Sequence, residues 1–386
     1  MIRAQEILQQ IEKMGIEVVT GVPDSTLKQF CDGLQTYEGK LRHYVTVNEG
    51  AAVGVAIGTY LGTEKPACVY MQNSGIGNAV NPIASLAHAE VYGIPMLFIV
   101  GWRGEPGIKD EPQHVFQGRV TCQMFETLEI PYEVIGENTT EEEMALLWDK
   151  CGKALQSGCQ FAIIVKKNTF SADKKFEWEN GNPLNREHVL GSLLKMISRD
   201  ALIVSTTGKI SRELYEQSDA LFGSHDNLFM TVGGMGHASM IAFGLASARP
   251  DKRVFCIDGD GAALMHMGSM AFMASQALAN LTHIVINNMA HESVGAMPTG
   301  CQGVSFAEVA KAVGYRYAER ITDQDGLDAL AEKLGHLGEA DSETGGPTSG
   351  PVLYEIMVGL GSRKDLGRPK ETARENRNCF IKTINV

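Results

Sequence analysis

Short apolar runs alternate with helix-like segments along the whole chain. The runs are rich in Val, Ile, Leu and Phe, which is typical of strands buried on both faces of a parallel sheet. In the first half they cover residues 18–20, 44–47, 68–71, 96–100 and 162–165. In the second half they cover residues 202–205, 228–231, 254–257, 284–287 and 352–356. This alternation predicts an α/β fold with doubly wound parallel sheets.

A polar stretch over residues 171–184 separates the two sets of runs. It contains Asp, Lys, Asn, Gly and Pro, residue types that favour turns and loops. We therefore expect a first domain over residues 1–170, a linker over residues 171–184 and a second domain over residues 185–386. A second stretch rich in Gly, Ser, Thr and Glu predicts an exposed loop over residues 338–351.

Composition and charge exclude several classes of protein. The chain has 386 residues, of which 44% are hydrophobic, so it can bury the cores of two to three domains. Its formal net charge of −12 argues against nucleic acid and against an anionic membrane as partners. No apolar run is long enough to span a bilayer, and no signal-peptide pattern is present. The eight cysteines form no CxxC pair, so we expect reduced thiols and a cytoplasmic location.

Glycines and polar side chains follow two successive strand-like runs. Gly259-Asp260-Gly261-Ala262 follows the first, and Asn287-Asn288 ends the second. The carboxyl ends of parallel strands meet at one edge of a sheet, where ligands bind. Oxygen ligands from two strands, with amides at a helix start, can hold a divalent cation and a diphosphate. The glycine turn alone would be equally compatible with a structural turn. The two adjacent buried amides of Asn287 and Asn288 also need partners, and we expect a metal with a diphosphate to supply them.

Three further segments carry candidate chemistry, and each has a simpler explanation. Glu49 follows a strand-like run and precedes a helix of small residues, where a carboxylate also stabilises the helix dipole. Met235 lies in a glycine-rich segment, although methionine commonly fills cores. Asp24 follows a Val-Pro turn and could equally cap a helix.

Taken together, these motifs resemble those of the thiamine-diphosphate enzymes. The resemblance covers almost the whole chain and has the family's order, with the Glu49 motif first and the Asp260 motif second. It implies two doubly wound parallel-sheet domains of the thiamine-diphosphate-binding fold, a pyrimidine-binding domain and then a diphosphate-binding domain. Larger members carry a middle domain, which this chain lacks.

The resemblance implies roles for residues that match the family's motifs. The Mg²⁺ ligands would be the side chains of Asp260 and Asn288 and the carbonyl of Ala290. Glu49 would hold the pyrimidine nitrogen and share its proton, and Met235 would lie between the two cofactor rings. The cofactor-binding set is Glu49, Gly233, Met235, Gly259, Asp260, Gly261, Ala262 and Asn288. His291 and Glu292 are candidates for proton transfer, as well as for loop packing.

The loops at residues 101–107, 110–114, 207–214, 290–295 and 361–369 resemble those of compact members that decarboxylate 3-phosphonopyruvate. The expected reaction yields phosphonoacetaldehyde and CO₂ through a thiamine-diphosphate ylide, a step of phosphonate biosynthesis. Each cation alone is better explained as a solvated surface charge, although the fork of Arg suits a phosphonate. The substrate-binding candidates are Asp24, Ser25, Arg103, Lys109, His114, Lys209, Arg212, Arg363 and Arg368.

Other functions remain open on the sequence. The same mechanism could act on sulfopyruvate, or the chain could be a non-catalytic cofactor-binding subunit or sensor. The joint presence of Glu49, Asp260 and Asn288 argues against a non-catalytic role. A dinucleotide-binding oxidoreductase is also conceivable from Gly259-Asp260-Gly261, but the chain does not have the full GxGxxG spacing of that class. In this family the cofactor lies between domains of two subunits, so we expect at least a homodimer.

Overall fold

A computed structural model describes residues 1–300, 302–336 and 350–385. Residues 338–349 of the predicted loop at 338–351 therefore lie outside the described residues. The described chain forms two compact units. The first contains Met1–Trp178 and Val294–Gly300. The second contains Glu179–Ser293 and the described residues from 302 onward.

The first unit is a parallel α/β sheet with helices on both faces. Its strands are β1 (Ile2–Arg3), β2 (Val18–Gly21), β3 (Arg42–Val45), β4 (Ala67–Gln72), β5 (Met96–Gly101), β6 (Tyr132–Ile135), β7 (Phe161–Val165) and β8 (Phe170–Ser171). Its helices are α1 (Ala4–Lys13), α2 (Lys28–Gln35), α3 (Glu49–Thr63), α4 (Ile76–Pro82), α5 (Pro112–Thr127) and α6 (Glu141–Gln156). Among these residues, six strands form one parallel sheet in the order β3-β2-β4-β5-β7-β6.

Strand β4 shows why the central runs are continuously apolar. Cys68 and Tyr70 belong to the core on one face of the sheet, whereas Val69 and Met71 belong to the core on the other. Successive side chains of a strand point to opposite faces, so a strand covered on both sides needs apolar residues at every position.

The second unit repeats this architecture. Its strands are β9 (Leu202–Ser205), β10 (Leu228–Met230), β11 (Val254–Gly259), β12 (Leu281–Asn287), β13 (Ala290–His291), β15 (Tyr317–Ile321) and β16 (Val352–Met357), while β14 (Met297–Pro298) lies in the segment grouped with the first unit. Its helices are α7 (Arg186–Met196), α8 (Lys209–Phe222), α9 (Ala238–Ala248), α10 (Asp260–Met265), α11 (Gly268–Gln276), α12 (Phe306–Val313), α13 (Gln324–His336) and α14 (Ala373–Ile384).

In the described part of the second unit, six parallel strands pair in the order β10-β9-β11-β12-β16-β15. Counted along the chain, both sheets have the order 2-1-3-4-6-5. The predicted pair of doubly wound parallel-sheet domains is therefore confirmed, without a middle domain among the described residues.

Two strands of the six-stranded sheets were missed by the sequence pattern, and they occupy equivalent edges. β6 and β15 are the fifth strands of their sheets and lie at the outer edge in each case. Their sequences, Tyr-Glu-Val-Ile and Tyr-Ala-Glu-Arg-Ile, contain charged residues and are only partly buried. An edge strand has a solvated side, so it lacks the continuous apolar run that identified the central strands.

Two general expectations can be compared with the described residues. No helix within residues 1–300, 302–336 and 350–385 has the length and apolarity required to cross a membrane. The seven cysteines in the same ranges are all free thiols.

Candidate active site

Glu49 begins helix α3 at the carboxyl edge of the first sheet. The side chain of the preceding Asn48 caps this helix by accepting a hydrogen bond from the N–H of Ala51 at 2.8 Å. Glu49 is only 5% exposed, and its Oε2 accepts a hydrogen bond from Asn78 Nδ2 at 2.8 Å. Burial raises the pKa of Glu49, and the Asn78 hydrogen bond opposes this shift. The carboxyl therefore retains its proton more readily than an exposed glutamate.

Gly75 provides the space that the Glu49 side chain occupies. A Cβ atom at position 75 would lie 2.3 Å from Glu49 Oε1 and 2.5 Å from its Cγ and Cδ. The backbone of Gly75 is right-handed helical, with φ −76° and ψ −13°. Glycine is thus required at position 75 by the proximity of Glu49 and not by backbone conformation.

Asp24 is buried at the end of β2 and is held by its own turn. Its carboxylate accepts hydrogen bonds from the N–H groups of Thr26 at 2.8 Å and Leu27 at 3.2 Å, and from Gln72 Nε2. Burial raises its pKa, and these hydrogen bonds oppose the shift. A Cβ at Gly101 would lie 2.2 Å from Asp24 Oδ2. Asp24 therefore holds the turn that leads into α2, but it is not the N-cap of that helix, which is Leu27. Its role toward substrate stays a prediction.

Arg103 lies just after β5, with its guanidinium beside Ser25. Its Nε donates to Asp110 Oδ2 at 2.8 Å, and Nη1 donates to Ser25 Oγ at 3.0 Å. The Arg103 hydrogen bond lowers the pKa of Asp110 to about 2. Asn73 holds the Arg103 backbone through both its N–H and its carbonyl, at 3.1 and 2.8 Å. The structure therefore brings Arg103, Ser25 and Asp24 together at the carboxyl edge of the first sheet.

The other two candidates of the first unit differ in exposure. Lys109 is exposed to solvent. His114 is partly buried, and burial followed by the nearby charge of Arg103 lowers its pKa, so its imidazole is neutral near pH 7.

Asp260 is the central candidate residue of the second unit. It begins α10 directly after β11 and is 4% exposed. Its Oδ2 atom is buried without a hydrogen-bond partner among the described residues. Burial raises its pKa to about 7, although backbone hydrogen bonds from Gly261 and Asn288 oppose the shift. A buried carboxylate oxygen without a partner is a group that a bound cation would stabilise.

Asn288 is buried close to Asp260, and its amide has a defined orientation. Its Nδ2 donates to Glu292 Oε2 at 2.7 Å, while its Oδ1 accepts from the N–H of Ala290 at 3.1 Å. The oxygen retains a second lone pair that could bind a metal. Ala290 is also buried. The described residues thus gather the three predicted metal-binding positions at the ends of β11 and β12.

The neighbouring Asn287 does not take part in this arrangement. Its Nδ2 donates to Glu355 Oε1 at 2.8 Å, and its Oδ1 accepts from the N–H of Met289 at 3.0 Å. The expectation that both amides need a metal for partners is therefore wrong for Asn287, because a buried carboxylate of β16 supplies its partner.

Glu292 is surrounded by hydrogen-bond donors. Its carboxylate accepts from Arg186 Nη1, from Lys209 Nζ at 3.2 Å and from the N–H of Gly361 at 3.0 Å, in addition to Asn288. Arg186 also makes a bidentate pair with Glu213, with both distances at 2.7 Å. Neither Arg186 nor Glu213 was predicted as part of the site, because a buried ion pair between α7 and α8 leaves no periodic signal in the sequence.

Met235 and His291 lie against Gly261. A Cβ at position 261 would be 3.0 Å from His291 Cε1 and 3.2 Å from Met235 Cε. Burial lowers the pKa of His291 to about 4, so its imidazole is neutral near pH 7. Ala262 is buried beside them, and Gly233 is partly buried in the segment that leads to Met235. These residues, predicted from separate parts of the sequence, form one cluster.

The cations of the second unit differ in how they are engaged. Arg212 donates to the backbone carbonyls of Leu366 and of Gly367, the latter at 2.6 Å. Arg363 pairs with Glu187 at 2.8 Å and with two further carboxylates, and Arg368 also interacts with a neighbour. Lys209, at the start of α8, is partly exposed and pairs with Glu292. Among the described residues, Lys209 is thus engaged by one carboxylate, whereas Arg363 is engaged by three.

Comparisons with known proteins match both halves of the chain. The family described as thiamine pyrophosphate enzyme, N-terminal TPP binding domain, matches residues 1–124, and the corresponding C-terminal TPP binding domain matches residues 217–348. The chain is 33% identical to a phosphonopyruvate decarboxylase of Streptomyces viridochromogenes, covering 97% of this chain and 93% of that one. It is 34% identical to that of Streptomyces hygroscopicus, covering 97% and 92%. A sulfopyruvate decarboxylase of Methanosarcina acetivorans is 25% identical, covering 87% and 88%.

Proposed function

Because this chain belongs to the thiamine-diphosphate-dependent decarboxylases, we propose that it converts 3-phosphonopyruvate into phosphonoacetaldehyde and CO₂. The observation that carries the proposal is the near full-length similarity to two phosphonopyruvate decarboxylases at 33% and 34% identity. The sulfopyruvate decarboxylase is less similar and aligns over less of the chain. Sulfopyruvate is therefore the second candidate substrate.

The residues of the second unit suit a diphosphate bound through Mg²⁺. The buried Oδ2 of Asp260 lacks a partner among the described residues, and the Asn288 amide oxygen is oriented by two hydrogen bonds. These side chains and the carbonyl of Ala290 would bind the metal. An all-oxygen set with a diphosphate is the environment that Mg²⁺ prefers. When bound, thiamine diphosphate supplies an electron sink for the electron pair left by the departing carboxylate.

Glu49 would hold the pyrimidine ring and the proton on it. Its burial favours the protonated carboxyl, which can share a proton with a ring nitrogen. Asn78 keeps the carboxyl oriented by donating a hydrogen bond to Glu49 Oε2. Met235 would pack between the two rings of the cofactor, as its position beside Gly261 allows.

We assign different roles to the two residues that were predicted to transfer protons. His291 is neutral and lies against Gly261, so its imidazole can donate or accept a proton near the diphosphate. Glu292 already accepts hydrogen bonds from Arg186, Lys209 and Asn288, which hold its carboxylate in place. Glu292 would therefore position the Asn288 amide rather than transfer a proton.

Two cations are the best candidates for the phosphonate. Arg103 presents a guanidinium beside Ser25, and Lys209 presents a partly exposed ammonium. The remaining candidates of the first unit would make weaker contacts with the substrate; they are Asp24, Ser25, Lys109 and His114. Arg212 instead binds carbonyls of the segment after β16, and Arg363, within that segment, pairs with Glu187 of α7, which supports structural roles for both.

The family resemblance also supports self-association. If the pyrimidine half of one subunit serves the diphosphate half of another, the active species is at least a homodimer. Light scattering at assay concentration measures this directly. A fully active monomer would contradict it.

The substrate proposal is tested by comparing kcat/KM for phosphonopyruvate, sulfopyruvate and pyruvate with thiamine diphosphate and Mg²⁺ present. We expect phosphonopyruvate to be preferred, and equal or better use of sulfopyruvate would overturn the assignment. Glu49→Gln should still bind the cofactor by calorimetry while losing most turnover. Cofactor binding by the unmodified chain without turnover of any of these substrates would instead indicate a non-catalytic subunit.

A further inference from the structure

Three potential metal ligands meet inside the second sheet, and they are different residues from those proposed above to bind Mg²⁺. Cys256 and Asp258 belong to β11, and His283 belongs to β12. Cys256 and His283 are directly opposite in the strand register, and Asp258 is two residues beyond Cys256. All three side chains therefore point to the same face of the sheet. Their ligand atoms lie within 4.8 Å of one another.

The three side chains are completely enclosed. Cys256 and Asp258 are 0% exposed and His283 is 1% exposed. On the opposite face of these strands, Phe255, Ile257 and Ile284 form the apolar core. A carboxylate and an imidazole at such depth need partners, because desolvation of either group costs several kcal/mol if it is left unpaired.

The partners of this cluster are incomplete. Asp258 Oδ1 accepts a hydrogen bond from the N–H of Gly259 at 2.9 Å. The other oxygen, Oδ2, and both ring nitrogens of His283 have none among the described residues. The hydroxyl of Tyr315, which interacts electrostatically with Cys256 and Asp258, is also buried without a partner.

A second buried carboxylate on this face shows the contrast. Glu355 is also 0% exposed, but it pairs with Arg320 and accepts from Asn287 and from the N–H of Ala307. The fold therefore provides donors to Glu355 and provides none to Asp258 Oδ2 within the described residues. A single metal ion could be the missing partner of both Asp258 and His283, because a carboxylate and an imidazole can bind the same cation.

The separation of the two groups matches ligands of one metal. His283 Nε2 and Asp258 Oδ2 are 3.5 Å apart, which is longer than a good hydrogen bond. Two atoms bound to one tetrahedral zinc ion at 2.0–2.2 Å are separated by about 3.4 Å. The thiol of Cys256 needs a shift of about an ångström at most to complete three ligands around such an ion.

We propose that Cys256, Asp258 and His283 form a buried structural site for a tetrahedral metal ion of the Zn²⁺ class, with the Tyr315 hydroxyl beside it. One sulfur, one nitrogen and one oxygen ligand favour Zn²⁺ over Mg²⁺ or Ca²⁺, which prefer oxygen alone. Binding releases the thiol proton and joins the paired strands β11 and β12 directly below the Asp260 turn. The ion would therefore stabilise the edge on which the diphosphate half of the site is built.

The first test measures metal content. The full-length chain is expressed with added Zn²⁺, purified without cofactor or Mg²⁺, dialysed against a weak chelator and analysed by mass spectrometry. We expect about one zinc per chain, and at least a tenfold loss in Cys256→Ser and in His283→Gln. Cys68→Ser, at a fully buried cysteine of β4, is the matched control and should retain wild-type zinc. Asp260→Asn should also retain it, which separates this site from the proposed Mg²⁺ site.

The second test needs no variant to fold. Replacement of zinc by Co²⁺ in the unmodified chain should produce a thiolate-to-metal charge-transfer band and the ligand-field spectrum of a tetrahedral site. Absence of zinc from the unmodified chain together with absence of that band would overturn the proposal. Equal zinc in Cys256→Ser and the unmodified chain would overturn it as well, since the ion would then lie elsewhere.

Discussion

Gly75→Ala is predicted to inactivate the protein without unfolding it. The added Cβ would lie 2.3 Å from Glu49 Oε1, and the surrounding backbone conformation accepts alanine without strain. A contact this short must be relieved, and the end of the Glu49 side chain is the part free to move. The substitution therefore acts on the position of one buried carboxyl group.

The size of the effect follows from the overlap. Relieving the contact requires the Glu49 carboxyl to move by about 1 Å, and a misplacement of about 1 Å in a catalytic group costs roughly 100-fold in rate. This corresponds to about 2.7 kcal/mol in activation free energy. Overpacking costs stability about 1–3 kcal/mol, which a domain of this size should tolerate.

The assay is kcat with saturating cofactor and Mg²⁺, together with thermal unfolding followed by circular dichroism. Gly152→Ala is the control, because it lies within α6 and its Cβ would meet no atom within 4 Å. In a Glu49→Gln background, Gly75→Ala should cause little further loss, since it acts through Glu49. Activity of Gly75→Ala within twofold of the control would refute the reasoning, and so would additive losses in the double variant.

Three further predictions concern the second unit. Arg186→Met should lower the free energy of unfolding by about 3–5 kcal/mol, because Glu213 is left buried without its bidentate partner. Urea unfolding measures this loss, and the double variant Arg186→Met/Glu213→Leu should recover much of it. Burial raises the pKa of Asp260 from 3.8 to about 7, so the folded protein without metal binds more protons than the unfolded chain in that interval. The contribution of Asp260 to stability is therefore lost as pH rises from about 4 to about 7, and Asp260→Asn should flatten this part of the urea-midpoint profile; an unchanged profile would contradict it. Lys209→Met should raise KM for phosphonopyruvate about tenfold with little change in Tm, because the proposed charged contact with substrate is lost. Arg212→Met should instead lower Tm, because two backbone carbonyls lose their donor. A lower Tm for Lys209→Met together with a higher KM for Arg212→Met would exchange the two roles.

The sequence predicted the central strands and the edge strand β10 well, and the other three edge strands of the six-stranded sheets poorly. β4, β5, β7, β9, β11, β12 and β16 coincide with continuous apolar runs, because both of their faces are buried. β6 and β15 were missed, since a strand with one solvated side can carry charges at ordinary density. For the same reason β3, another edge strand, begins at Arg42 and ends at Val45, whereas the pattern predicted residues 44–47.

Within the site, the sequence predicted the residues that local sequence places, and it did not predict the contacts between segments remote along the chain. Asp260 and Asn288 follow strands that the sequence identifies, and parallel pairing alone brings the ends of adjacent strands together. Glu49 is recognisable for the same local reason, as the first residue of a helix after a strand. The sequence therefore determined the fold class, the family and the residues expected to bind the cofactor.

The tertiary structure alone decided which charges are free and which are already paired. Glu292 is bound by Arg186, an arginine 106 residues earlier in the chain, and Arg212 is bound by carbonyls about 155 residues later. The unsatisfied cluster of Cys256, Asp258 and His283 likewise depends on strand register and on the absence of nearby donors in the described residues. Pairing of this kind depends on distances between remote segments, and one sequence contains no local pattern that encodes them.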